Sequence, residues 1–206
     1  MRIAILGASG KTGHATVEQA LARGHQVVAL VRRPEVFTVR DPSAHDRVEV
    51  RRADVTSPAD FPDLSDVDVV VSALGVSKGD GPGALEAGAK VLTARRVRAI
   101  WLGALGSGVS TGAGGAIYQA VMRMFVGREL AEKAAADHIA LAGGTTVFHA
   151  PDVANGPVSP NRRILRLADY RRPFLPPRIT RDTLAALLID EAEAPTHRAE
   201  VLVPLG

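Results

Sequence analysis

A chain of 206 residues is long enough to bury a full core and most often makes one domain; its 46% hydrophobic and 23% charged residues are those of an ordinary water-soluble globular protein. The net charge is only +3, and its 21 Arg and four Lys fall in scattered pairs rather than one basic stripe, so nucleic acid is not an expected partner. The absence of cysteine excludes disulfides, thiolate metal sites and cysteine nucleophiles, and the six histidines lack ligand-like spacing, so no metal is expected.

In chain order, Ile3–Leu6 reads as a buried strand and residues 11–23 as a helix with Val17, Ala20 and Leu21 on one face, stopped by Gly24. Val27–Val31 is a second strand, Val48–Val50 a short third, and Val67–Leu74 a fourth, nearly continuous in β-branched residues. A helix is predicted over 83–95, a fifth strand at Ala99–Leu102, a long helix over 116–142 and a sixth strand at Thr145–His149. The tail resumes with a helix at 181–192 and a last strand at Glu200–Val203. Apolar strands alternating with helices predict an α/β fold, a doubly wound, mostly parallel sheet of Rossmann type in a single domain, 1–206. Two loops follow carboxyl ends of strands, where such sheets bind ligands: 104–115, rich in Gly, Ser and Thr, and 151–180, which holds six of the 13 prolines. Both are expected on the substrate side. The stretch Ile117–Phe125 is apolar on more than one helical face and is expected to line a cavity, meet a partner or pack as core. No run approaches the ~20 apolar residues of a membrane span and no signal sequence is visible, so a cytoplasmic protein without a membrane partner is expected.

The first strand runs into Gly7-Ala8-Ser9-Gly10-Lys11-Thr12-Gly13 and then a helix. Gly7 permits a sharp turn, Gly10 lets backbone approach a pyrophosphate, and Gly13 lets the helix pack closely on the sheet. A diphosphate would rest on free N–H groups at the helix start, with Ser9, Lys11 and Thr12 adding donors. Dinucleotide binding is therefore expected. Gly10-Lys11-Thr12 mimics the end of a P-loop, but that loop needs a glycine where Ile5 stands, so a nucleotide triphosphatase is not expected. Strand two ends without the acidic residue that binds a ribose 2′-hydroxyl. Arg32 and Arg33 follow it instead, and a guanidinium suits a 2′-phosphate, so NADP(H) is expected over NAD(H).

Strand, GASGKTG, helix and then GHQVVALVRRPE resembles the atypical short-chain dehydrogenase/reductases with NAD(P)H-binding, NmrA-like domains, most similar to the small flavin reductase and biliverdin reductase B type. The resemblance spans nearly the whole chain. It implies adenine contacts from Asp54 and Val55, a segment Ala73-Leu74-Gly75 along the cofactor ribose, and Pro151 with its backbone near the nicotinamide. Ile179-Thr180-Arg181-Asp182 is similar to the family's start of the final helix. Strand six departs from the family's usual Arg-Pro or Pro-Pro ending and reads His149-Ala150-Pro151-Asp152, which makes His149 and Asp152 candidates for substrate contact. The tyrosine proton donor with a lysine four residues later, used by ordinary short-chain dehydrogenases, is missing: Tyr118 is followed at that spacing by Met122 and Tyr170 by Phe174. Ser107 matches a serine found near the nicotinamide in related reductases and is the candidate to orient the substrate or relay a proton; Tyr118 is a second, pocket-lining candidate.

Two functions stay open. The first is an NADPH-dependent oxidoreductase that passes hydride to a flavin- or quinone-like small-molecule acceptor, acting as a monomer or homodimer. The second is a non-catalytic, NmrA-like NAD(P) sensor, which the missing Tyr-Lys pair suits. An epimerase or dehydratase would need that pair and a larger substrate domain.

Overall fold

Hydrophobic alternation along the strands decides the architecture. Within β1 (Arg2–Leu6), Ile3 and Ile5 face one layer while Ala4 and Leu6 face the other, and all four are fully or nearly fully buried. A strand apolar on both sides needs helices on both sides. The computed structural model describes residues 1–76, 82–172, 174 and 177–206, apart from the side chains of Phe125 and Arg128.

The further elements are α1 (Lys11–Ala22), β2 (Gln26–Val31), β3 (Val48–Arg52), β4 (Val69–Ser72), α2 (Ala84–Arg95), β5 (Ala99–Ala104), α3 (Ala116–Ala142), β6 (Thr146–Ala150), β7 (Asp152–Ala154), β8 (Arg163–Arg166), β9 (Arg178–Thr180), α4 (Arg181–Glu193) and β10 (Val201–Leu205). The main sheet has the order β3-β2-β1-β4-β5-β6-β10-β8. All its pairings are parallel except that of β8 with β10. α1 and α4 cover one face with Val17, Leu21, Leu184 and Leu188; α2 and α3 cover the other with Leu85, Leu92, Ala136 and Ala140. The strand order reverses at β1, which pairs with both β2 and β4, so the crevice of a doubly wound fold opens above the carboxyl ends of β1 and β4.

The expected elements are present, with three differences. β4 stops at Ser72, because Ala73–Gly75 leave the sheet to pass against Gly7. The segment 151–180 is more than a loop: β7 and β9 form a separate two-stranded ladder, and β8 pairs along β10. Strands of three or four residues are fixed by their partners and carry too little alternation to be read alone. α3 is bent at Val126 (φ −128°, ψ 17°), next to Gly127. Among the described residues, no helix is long and apolar enough to cross a membrane.

Candidate functional site

The glycine turn lies at the switch point. Gly7 has φ +77°, a left-handed conformation open to glycine, and its amide donates to Leu30 O across the strand ends. A Cβ on Gly13 would stand 2.1 Å from Gly7 O, so the helix start is pressed onto the turn. Gly10 differs. Its backbone (φ −75°, ψ 162°) suits any residue, and among the described residues a Cβ there would meet only Gly7 O, at 3.3 Å. The packing of the described residues therefore does not require this glycine; it leaves backbone bare above the helix start. α1 has no side-chain cap and no acidic residue in its first turn, so within the helix itself nothing offsets the positive end of its dipole. Ser9, Gly10 and Lys11 are exposed and Thr12 is half-buried around this cradle. These features fit a diphosphate.

At the ends of β2 and β3, Arg32 and Arg33 are exposed. Val31 pairs with Arg52, which brings a third guanidinium to the same corner. Asp54 is also there, but its carboxylate accepts from Thr56 Oγ1 at 2.6 Å and Thr56 N at 2.9 Å. Those bonds, with the charges of Arg32 and Arg52 behind them, hold its carboxyl below the usual range. Val55 is buried beside it. Across the crevice, Ala73 and Leu74 are half-buried, and Gly75 is exposed with open space where a side chain would stand.

The other end of the crevice lies beyond β5 and β6. Pro151 is buried at the end of β6. Ser107 is 2% exposed, and its hydroxyl faces inward, 2.8 Å from Ala104 O and 3.1 Å from Asp137 Oδ2. His149 is fully enclosed: its Nδ1 lies 2.6 Å from Ser110 Oγ and its Nε2 3.0 Å from Asp137 Oδ2. His149, expected on the substrate side, is thus interior rather than open to a substrate, its ring lying between Ser110 and Asp137. Tyr118 is buried against Leu105 and Val203, with Tyr170 packed beside it. Burial pushes the Tyr118 phenol up to about 12, and the nearby Asp152 and Tyr170 add to the rise. Asp152 is exposed and bound to Arg178 Nε at 2.8 Å. Gly114, Gly115, Tyr118, Arg172 and Phe174 line a cavity of about 210 Å³. A larger cavity of about 290 Å³ runs back along α1 from His14 to Ala22, and no candidate residue lines it.

Residues 7–195 match the family model described as NAD(P)H-binding. The chain belongs to the NAD(P)H-binding family. It is similar to YwnB of Bacillus subtilis, 32% identical over 111 residues, which are 52% of this chain and 49% of that protein. The match therefore spans about half the length of this curated relative. Among solved structures, it shares its fold with a candidate NADH-flavin reductase from Streptococcus pneumoniae TIGR4 (20% identity, TM-score 0.73, covering 100% of this chain and 99% of that one). It also shares it with ChuY, an anaerobillin reductase from Escherichia coli O157:H7 (20% identity, TM-score 0.73, covering 100% and 97%).

In this NAD(P)H-binding chain the sequence-predicted residues divide into two groups. Gly7, Gly10, Gly13, Arg32, Arg33, Asp54 and Ala73–Gly75 gather around the switch point because they sit at the ends of three adjacent parallel strands, β1, β2 and β4, or of β3 beside them. Ser107, Tyr118, Pro151 and Asp152 gather at the other end, beyond β5 and β6, with His149 beneath them. Three residues went unread. Arg52 had a signal, an arginine pair closing a strand. Asp137 and Ser110 had none, since a carboxylate in a helix and a serine in a glycine-rich loop are ordinary until the fold joins them. Of the apolar stretch on α3, Tyr118 points inward while Ile117, Val121 and Met124 are exposed; the Phe125 side chain lies outside the described residues.

Proposed function

We propose that the protein is an NADPH-dependent oxidoreductase that reduces a planar, conjugated small-molecule acceptor of the flavin or quinone class. One observation carries this reading. A backbone cradle at a helix N-terminus without a side-chain cap lies at the switch point of a parallel sheet, and a small cavity lined by Tyr118, Arg172 and Phe174 lies at the start of the helix that follows β5. The reductases named among its structural neighbours favour the same chemistry. Gly7, Gly10 and Gly13 hold the diphosphate, and Arg32 and Arg33 favour the 2′-phosphate of NADP(H) over NAD(H). Asp54–Val55, Ala73–Gly75 and Pro151 flank the remainder of the cofactor. When bound, the reduced nicotinamide supplies a hydride; a solvent proton completes the reduction. A conjugated acceptor of this kind needs orientation more than a dedicated acid, which suits a site without the Tyr-Lys pair. Ser107 and Tyr118 shape the acceptor end rather than attack. We place the protein in the cytoplasm, as a monomer or homodimer, with a small-molecule acceptor and neither nucleic acid nor membrane as partner.

Mixing the protein with NADPH and a panel of flavins and quinones, while following the nicotinamide absorbance, tests the proposal. Turnover is expected with at least one acceptor. Tight NADPH binding with no turnover across the panel would instead support the sensor reading, which the exposed stripe Ile117, Val121 and Met124 favours as a docking face.

A further inference from the structure

The segment after β5 has the composition of a loose loop, yet buried polar side chains from elsewhere in the chain tie it down. Gln119 of α3 donates to Gly106 O at 3.1 Å and accepts from Gly112 N at 2.8 Å. Asp137, one turn from the end of α3 and 3% exposed, accepts from Trp101 Nε1 at 3.0 Å through one oxygen and faces Ser107 Oγ at 3.1 Å through the other. His149 lies between this carboxylate and Ser110. Its Nε2 contacts Asp137 Oδ2 at 3.0 Å but makes no aligned hydrogen bond, while Nδ1 and Ser110 Oγ share one. Ser110 Oγ in turn accepts from Gly106 N at 2.9 Å and donates toward Ser107 O at 3.0 Å. The sheet leaves room for this pair. Gly103 is the register partner of His149, and a Cβ on it would stand 2.7 Å from Asp137 Oδ1 and 3.0 Å from the His149 ring.

Serine, histidine and aspartate in this order resemble a nucleophilic relay, but Ser110 is 1% exposed and its oxygen already accepts a backbone N–H, so no substrate reaches it. A stability role does not account for the group either. Burying polar groups costs desolvation, and such a cluster is often no more stabilising than apolar residues of the same volume. What it provides that leucines cannot is direction: Asp137 meets Ser107 Oγ and His149 meets Ser110 Oγ, so two atoms of the 103–110 segment are fixed.

Building on the reductase reading above, we propose that Asp137 and His149 are positioning residues that hold Gly103–Ser110 as a rigid wall of the acceptor crevice. Asp137→Asn removes the charge and keeps an acceptor for Trp101. His149→Asn keeps a donor near the Nδ1 position and loses the Asp137 contact. Three measurements apply to each: amide hydrogen exchange of the protein alone, NADPH affinity by calorimetry, and kcat and KM with flavin mononucleotide or whichever panel acceptor the wild type reduces. Exchange across 103–110 is expected to speed about 10-fold or more while β1, β2 and β4 stay protected. NADPH affinity is expected to hold within about 3-fold and kcat to fall about 10-fold or more with KM little changed, because orientation rather than binding is lost. Folded variants with unchanged exchange and unchanged kcat would overturn the proposal. Should both variants unfold, Ser110→Ala, which removes only a hydroxyl, is expected to show the same split, and its failure to do so would equally overturn it. A wild type that neither binds NADPH nor turns over would refute the reductase reading, while the exchange data would still decide whether the pair holds the segment.

Discussion

The glycine-turn end of the crevice is shaped by backbone, and the end beyond β5 and β6 by buried side chains. At the first, Gly7 and Gly13 are required by the turn and by close helix packing, and bare backbone lies at the start of α1, where a diphosphate is proposed to rest. At the second, Gln119, Asp137 and His149 arrive from α3 and β6 to fix a segment whose own sequence fixes little. A backbone site needs only local spacing, whereas a side-chain site needs the whole fold before its parts meet. On the function proposed above, the glycine turn would take the diphosphate common to both nicotinamide nucleotides, and the second end is where selectivity toward an acceptor would be built.

The sharpest way to break this contrast is one substitution at two neighbouring glycines. Gly13→Ala forces a Cβ to within 2.1 Å of Gly7 O and is expected to lower stability by about 3 kcal/mol or more, seen as a large drop in Tm. Gly10→Ala meets only a 3.3 Å contact, so it is expected to change stability by less than about 1 kcal/mol while weakening NADPH about 10-fold or more, read by thermal melting and calorimetry together. Equal effects at both positions would show that Gly10 serves packing.

Next in size is the Arg32→Ala, Arg33→Ala double variant. Removing charge-assisted hydrogen bonds to a 2′-phosphate is expected to weaken NADPH about 10- to 100-fold more than NADH. Equal losses for both would remove the argument for the phosphate.

At the acceptor end, Tyr118 gives a pH signature. Its folded pKa of about 12 lies above the ordinary value of 10.0, so the folded state keeps the proton to higher pH. The stabilisation is complete below pH 10 and is lost as pH rises toward about 12. Denaturant unfolding over that range, with phenolate absorbance alongside, is expected to show less alkaline loss in Tyr118→Phe. The smallest effect is expected for Arg178→Ala, which breaks the exposed pair with Asp152: stability should change by no more than about 1 kcal/mol in denaturant unfolding.

The same contrast explains what could be read from the residues alone. β1, the glycine turn, α1 and β2 were legible because apolar period and glycine spacing act within about 30 residues. β7, β8 and β9 were not, since each is short and takes its shape from a partner strand. His149 stands out in sequence through its place near Pro151, but its neighbours in the fold are Ser110, 39 residues away, and Asp137 of α3. The sequence places Ser107 toward a substrate, while in the fold its hydroxyl turns to Ala104 O and Asp137. No local pattern reports which way a side chain turns in a glycine-rich segment.

Titration calorimetry with NADPH and NADH, on the wild type and on Gly10→Ala, tests the central claim most directly. The wild type is expected to bind NADPH more tightly than NADH, and the folded variant is expected to lose most of that affinity for both. A wild type that binds neither nucleotide, or a Gly10→Ala protein that binds as well as the wild type, would contradict the account.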